Sequence, residues 1–429
     1  MTEPASPTDE PTGPGLATVG PKWTTLPYHR AWLAGEASNL LAFFERASVN
    51  PAGGFFDLDE RGDPIGGGAA GMPPRQIHVT TRMVHSFAIA HLLGRPGAEP
   101  IVDHGMAFLW NGHRDGKNGG YVWGVEEDGP SDDRKQAYGH AFVLLAASSA
   151  RVVGHPDADR LLADVSEILW TRFWETRHGA SAEEFARDWQ PISRYRGQNS
   201  NMHLTEALMA AFEATGEAIY LERAEKIADL IIRRITGAND WRLPEHFDED
   251  WKLERDYAGG DVFRPFGTTP GHWLEWARLL LQLWELGGRR LAWAPDAARA
   301  LFARSVGEGW NAELGGFHYT LDWSGKPHLR NRLWWPAAEG IGAAAFLNAI
   351  DGDRSYETWY RRIWDFIATQ LIDRQHGGWR TEAADPTGGT APLFTGKPDI
   401  YHALQACLIP LVPASGSVTK GLPTVGLWR

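Results

Sequence analysis

The 429-residue sequence predicts an all-α protein built as an (α/α)6 barrel of six helical hairpins, and three observations predict it. Twelve segments carry apolar residues at helical spacing, whereas the two-residue alternation of half-buried strands is almost absent. A turn motif recurs, Gly53-Gly54-Phe55, Gly119-Gly120-Tyr121, Gly315-Gly316-Phe317 and Gly377-Gly378-Trp379, at spacings of 66, 196 and 62 residues. Because 196 is close to three times 65, two degenerate copies belong near 180 and 245, where His178-Gly179-Ala180 and Glu245-His246-Phe247 stand. Six copies of a two-helix unit are the signature of a repeat architecture. The count stops at twelve helices, which favours closure over an open solenoid with polar capping repeats.

In chain order, Met1 to about Lys22 is rich in Pro, Thr, Glu and Gly without an apolar core segment and reads as a disordered leader, not a signal peptide. The barrel domain is expected over 23–413, with helices near 30–47, 78–93, 98–113, 133–154, 157–175, 200–214, 217–236, 270–286, 294–306, 336–349, 355–373 and 400–411. Residues 414–429 read as a loosely ordered tail. The even-numbered helices open in a common way. Thr80-Thr81-Arg82 with His85 starts the second, Asn199 or Ser200 caps the sixth ahead of His203, and Thr269-Pro270 starts the eighth ahead of His272 and Glu275. The tenth places Pro336 early, between Trp335 and Glu339, and the twelfth has Asp399 as its cap before His402. Five starts of this kind in alternate helices point to one shared mouth where histidines, arginines and carboxylates converge. His272 and Glu275, three residues apart, share a helix face, so the carboxylate is expected to orient the imidazole.

Composition narrows the chemistry. A net charge of −12, from 54 acids against 42 bases without a basic run, argues against a nucleic-acid partner. The single cysteine, Cys407, leaves no disulfide or thiolate cage within the chain. No apolar run approaches the roughly 20 residues of a membrane span, so a soluble cytoplasmic protein acting on a small molecule is expected. The 21 tryptophans and 18 phenylalanines suit a pocket that stacks on sugar rings. No metal motif, Walker loop or dinucleotide fingerprint appears, so neither metal nor cofactor is expected. Paired carboxylates (Glu206, Glu275, Glu339, Asp399) keep glycoside hydrolysis open, but three histidines beside them favour proton shuttling near neutral pH. A helical-repeat module that only binds sugar or protein is the non-enzymatic alternative.

These residues resemble the N-acylglucosamine 2-epimerase superfamily, nearest its metal-independent aldose-ketose isomerases that act on D-mannose or sulfoquinovose. The resemblance runs from about Trp32 to Pro413 and is carried by Thr81-Arg82-Met83-x-His85, Asn199-x-Asn201-Met202-His203, Glu245-His246-Phe247-Asp248, Phe263-Arg264 through Gly271-His272-x-x-Glu275-Trp276, Trp335-Pro336-x-x-Glu339 and Gly396-Lys397-x-Asp399-Ile400-Tyr401-His402. It implies His272 and His402 as the acid/base pair, His203 assisting ring opening, and Arg82, Asn199, Arg264, Glu275, Trp335 and Glu339 holding the sugar hydroxyls. The implied reaction interconverts D-mannose and D-fructose through a cis-enediol, with D-lyxose and D-xylulose as secondary substrates, in a monomer or homodimer. A 2-epimerase, a sulfoquinovose isomerase and, more distantly, a glycoside hydrolase are the alternatives.

Overall fold

The structure, a computed structural model, describes residues 20–66, 73–257, 259 and 261–425. Residues 1–19 of the expected leader lie outside the described residues. Twelve helices form the barrel: α1 Pro27–Ala47, α2 Ile77–Leu92, α3 Ala98–Phe108, α4 Ala137–Val152, α5 Ala158–Ile168, α6 Gln198–Thr215, α7 Ala218–Ala228, α8 Pro270–Leu286, α9 Ala294–Arg304, α10 Trp334–Ile350, α11 Ser355–Phe366 and α12 Ile400–Leu408. The even helices pack in sequence, α2 on α4, α6, α8, α10 and α12, and α12 returns to α2, so the inner ring is closed. Each odd helix backs the inner helix before it, and α1 backs α12, so the sixth hairpin joins the two ends of the chain.

Burial separates the two layers as repeat packing requires. In α10 every residue from Trp334 to Asn348 is buried, and α4 is buried from Gly139 to Ala150, with no polar face on either helix. The outer helix α5 instead buries one stripe, Ala158, Leu161, Leu162, Val165 and Ser166, and leaves the rest to water. Five outer helices, α3, α5, α7, α9 and α11, end in a π-helical turn, which after all but α7 feeds the recurring glycine turn. Three of those turns share an Asp or Asn four residues before the glycine pair, and its N–H donates to the second glycine's carbonyl: Asp115 to Gly120 (2.8 Å), Asn311 to Gly316 (2.8 Å) and Asp373 to Gly378 (3.0 Å). The glycines take positive φ and lie flat under an aromatic ring, where a Cβ at Gly316 would sit 2.4 Å from Phe366.

The fourth copy departs from the spacing. Glu245-His246-Phe247 is not a turn: His246–Phe247 is a short strand paired with Arg196–Gly197. Asp240 and Trp241 carry the positive φ values, 54° and 57°, a few residues earlier.

One main-chain bond, repeated six times, sets the depth of the inner helices. The N–H of Ile77, Ala137, Gln198, Thr268, Trp334 and Lys397 donates to the carbonyl of Trp123, Glu183, Glu245, Leu321, Thr381 and Leu58 respectively, at 2.8–3.1 Å. Each acceptor belongs to the next module round the ring. The side-chain caps read from sequence are mostly not made: α6 starts at Gln198, before Asn199 and Ser200, Thr269 stands at the N-cap of α8 ahead of Pro270 without accepting a bond, and α2, α4, α6, α8 and α10 have no side-chain cap. The neighbouring module satisfies the first helical N–H of α2, α4, α6 and α10. Only α12 uses its expected cap, Asp399 Oδ1 accepting from Tyr401 N–H at 3.0 Å.

The segment after Pro413 is not loose through its described part. Ser417 N–H donates to Glu213, Gly416 carbonyl accepts from Gln282 at 2.9 Å, and Val418, Thr419 and Leu422 are buried. The apolar pair Val418 and Leu422 lies on one face and closes the inner end of the barrel. No helix among the described residues is long and apolar enough to cross a membrane.

Burial also makes the fold acid-sensitive. It holds His78 down to about 3 and His85, His113, His140 and His203 to about 4. The unfolded chain takes up these protons near 6.5, so their contribution is complete above that pH and is lost as pH falls towards 4, at up to about 1.4 kcal/mol per unit for each histidine. Glu183 and Glu275, pushed up by burial, act in the opposite sense and offset part of it. We expect about 2–4 kcal/mol less stability at pH 5 than at pH 7.5. Urea midpoints that match at the two values would contradict this.

Candidate active site

The inner helices bring their side chains together: Arg82 of α2 lies over Phe142 of α4, Phe142 packs on His203 of α6 (ring centroids 4.7 Å), His203 faces Glu275 of α8, and Glu339 of α10 meets His402 of α12. Tyr138, His272 and Trp335 stand beside them in the first turns of α4, α8 and α10. Trp335 lies between two imidazoles, its ring centroid 5.0 Å from His272 and 6.0 Å from His402.

Each of those imidazoles has its own carboxylate. His272 Nδ1 is 2.9 Å from Glu245 Oε2, and His402 Nδ1 is 2.8 Å from Glu339 Oε1. Burial opposes ionisation of both acids, but the facing histidine, with Arg278 in the case of Glu339, holds each below the usual carboxylate range. An ionised carboxylate only accepts, so His402 Nδ1 is the donor to Glu339, while His272 Nδ1 lies 2.9 Å from both Glu245 Oε2 and Gln198 Nε2. The two settings differ. Trp276 Nε1 donates to Gln198 Oε1 (2.8 Å), which orients the amide so that Gln198 Nε2 donates to Glu245 Oε2 (2.8 Å). Glu339 Oε2 instead accepts from Arg278 Nε at 2.8 Å.

The carboxylate that sequence assigned to His272 is elsewhere. Glu275 Oε1 lies 3.6 Å from His203 Nδ1, and neither atom has a hydrogen-bond partner. Burial pushes Glu275 well up, reinforced by the neighbouring Glu339 and opposed by Arg278, while burial holds the facing His203 down to about 4. The i, i+3 spacing put Glu275 on the helix face of His272, but the ring turns outward to the strand that carries Glu245. Nothing local in α8 marks that partner. Glu339, expected among the sugar ligands, has both oxygens engaged by His402 and Arg278. Sequence reasoning also passed over Gln198, Tyr138 and Arg278.

Arg82 bridges Asp399 Oδ2 (2.6 Å) and the Tyr138 hydroxyl (2.7 Å), with its guanidinium over Phe142 and Tyr401. Asn199 and Arg264 stand apart from the dyads, on the rim, where with His78, Tyr138 and Phe263 they line a cavity of about 170 Å³. There Arg264 pairs with Glu183 and Glu184 at 3.4 and 3.2 Å. Phe263 reaches Phe394 across the mouth, ring centroids 6.1 Å apart. A cavity of about 650 Å³ on the flank is not this site: its buried Lys397 is paired with Asp373 at 2.6 Å, and Arg332 is bonded to three carbonyls.

Among the described residues, His203, Glu206 and Glu275 bring donor atoms within 4.8 Å of one another, the arrangement a metal needs. Their surroundings do not fit one. The Arg278 guanidinium is 3.3 Å from Glu206 and 3.7 Å from Glu275, and the other Glu206 oxygen accepts from the Tyr401 hydroxyl. These acids already have their cation.

Residues 53–406 match the family model of N-acylglucosamine 2-epimerase (GlcNAc 2-epimerase). The chain belongs to this family. The family's helical barrel recurs in a crystal structure of D-mannose isomerase, with a TM-score of 0.83 and 31% identity over 90% of this chain and 99% of that one. Among curated proteins, D-mannose isomerase of Thermobifida fusca is 43% identical over 415 residues, taking in 94% of this chain and 99% of the relative. Cellobiose 2-epimerase from Spirochaeta thermophila, at 24% identity, shares the fold with a TM-score of 0.78 over 90% of this chain and 96% of its own.

Proposed function

We propose that this enzyme interconverts D-mannose and D-fructose without a metal ion, by proton transfer between C2 and C1. The observation that carries the reading is the pair of His-Glu dyads facing each other past Trp335, supported by the similarity to D-mannose isomerases over nearly the whole chain. His203 and Glu275, whose facing atoms have no hydrogen-bond partner, assist ring opening and the movement of the proton between O1 and O2. One imidazole Nε2 takes the C2 proton of the open-chain aldose, giving the cis-enediol, and returns it to C1. Arg82 offsets the negative charge developing on the enediol oxygens. Trp335 packs the sugar between the bases, and Asn199 and Arg264 hold hydroxyls at the rim.

The arginines support a neutral sugar. Arg82, Arg134, Arg264 and Arg278 are each paired with a carboxylate, at 2.6, 2.5, 3.2 and 2.8 Å, so none is a ready partner for a phosphate or sulfonate.

The test is D-mannose in D2O without added metal, followed by NMR. Fructose is the expected first product, with proton transfer from C2 or deuterium entering at C1. Glucose as the main early product would assign the enzyme to 2-epimerisation, and no turnover would overturn the proposal. Mannose 6-phosphate is expected to react at least about 100-fold less well in kcat/KM, the scale of an uncompensated buried charge.

A further inference from the structure

Behind the His402–Glu339 pair lies a buried cation, Arg278 of α8. Arg278 is buried to within 1% of its side-chain surface among three carboxylates. Its Nε donates to Glu339 Oε2 at 2.8 Å, and Nη1 donates to Glu206 Oε1 at 3.3 Å and Gln282 Oε1 at 3.1 Å. Two paths run from it to one histidine. Glu339 carries it to His402 Nδ1, and Glu206 carries it to the hydroxyl of Tyr401, the residue before His402, whose ring lies 4.7 Å from the imidazole. From below, the Gln282 amide ties the guanidinium to the Gly416 carbonyl of the C-terminal segment. Room for this is reserved on α10, where a Cβ on Gly342 would come within 2.8 Å of Arg278 Cδ. His272 has no such cation, only the amide of Gln198 behind its glutamate.

We propose that Arg278 is a positioning residue for His402: its fork fixes Glu339 and Glu206, and through them the orientation of the His402 ring and of the nitrogen that bears its proton, with the C-terminal segment as its footing. The inference rests on the reading of His402 as a proton-transfer group. A lysine keeps the charge but has no planar fork to hold Glu339 and Glu206 together.

Arg278→Lys is therefore expected to lower kcat for D-mannose about 10- to 100-fold with KM within about threefold, the cost of an ångström-scale misplacement of a reacting group. On a Glu339→Gln background, where one of the two paths is already cut, the same substitution is expected to lower kcat by a clearly smaller factor than in the parent. Equal losses in both backgrounds, or parental kcat in Arg278→Lys, would overturn the proposal. Should Arg278→Lys fold poorly, the double variant Arg278→Met with Glu206→Gln removes one buried charge of each sign and carries the same comparison. The Nδ1–H resonance of His402, observed by NMR without sugar, reads the contact independently of turnover. It shifts or broadens in Arg278→Lys if the proposal holds and is unmoved if it fails. Failure of the isomerase reading shows separately, as a parental protein that leaves D-mannose unchanged.

Discussion

His272→Ala and His402→Ala are each expected to lower kcat for D-mannose by about 10³-fold or more, the upper range for a positioned proton-transfer group. Both rings pack against Trp335, and each is held through Nδ1 by a buried glutamate. The chain should survive the change. Each truncated site keeps a partner for the glutamate left behind, Gln198 for Glu245 and Arg278 for Glu339, so a buried charge is not abandoned. Steady-state kinetics and thermal unfolding of the two variants and of the double variant provide the check. Because the two groups act in one reaction, the double loss should fall well short of the product of the single losses. Activity within tenfold of the parent in either variant would remove that histidine from the mechanism.

Gly267→Ala and Gly396→Ala are expected to damage both stability and activity, although neither residue touches the dyads. Gly267 takes φ +98°, and a Cβ there would sit 2.1 Å from the Leu321 carbonyl oxygen; Gly396 takes φ +77°, with its Cβ 2.2 Å from the Leu58 oxygen. The obstructing atom is backbone in both cases, so no side chain can swing aside. It is also the acceptor of the next residue's N–H, the Thr268 and Lys397 bonds that seat α8 and α12. Relief of the clash must lift the entry of a helix that carries a proposed catalytic histidine five residues after Gly267 or six after Gly396. We expect a loss of about 3 kcal/mol or more in each variant, with kcat down about 100-fold from displacement of the ring. Gly154→Ala is the control: its φ is +78°, but no atom lies within 4 Å of the added Cβ, so only the left-handed strain of about 1 kcal/mol applies. Urea unfolding that gives the three variants the same stability would refute the packing argument.

Much of the architecture was legible because it is periodic. The helical segments agree with the observed helices to within a few residues, since an inner or outer helix shows its face in its own apolar spacing. The glycine pairs marked the modules, since a positive φ beneath an aromatic ring has few other solutions. The fourth module escaped this reading because Asp240 and Trp241 make its turn without glycine. Caps were misread for a related reason: a cap motif is local, whereas these helix starts are satisfied by a carbonyl some 45 to 55 residues away or, for Lys397, near the other end of the chain.

The same division runs through the site. Sequence alone determined the closed ring of helices, the shared mouth and the three histidines near its helix starts, because repeat length and position within a first turn are properties of short stretches. Only the tertiary structure decided which acid serves which base. Glu245 reaches His272, Glu339 turns from the sugar to His402, and Glu275 is left beside His203 with its carboxyl pushed well up. Those pairings form between modules, where the ring angle brings a segment of one unit against the helix of another, and the upward shift of Glu275 follows from burial and charge summed over several helices. Neither quantity is a property of any single stretch of chain.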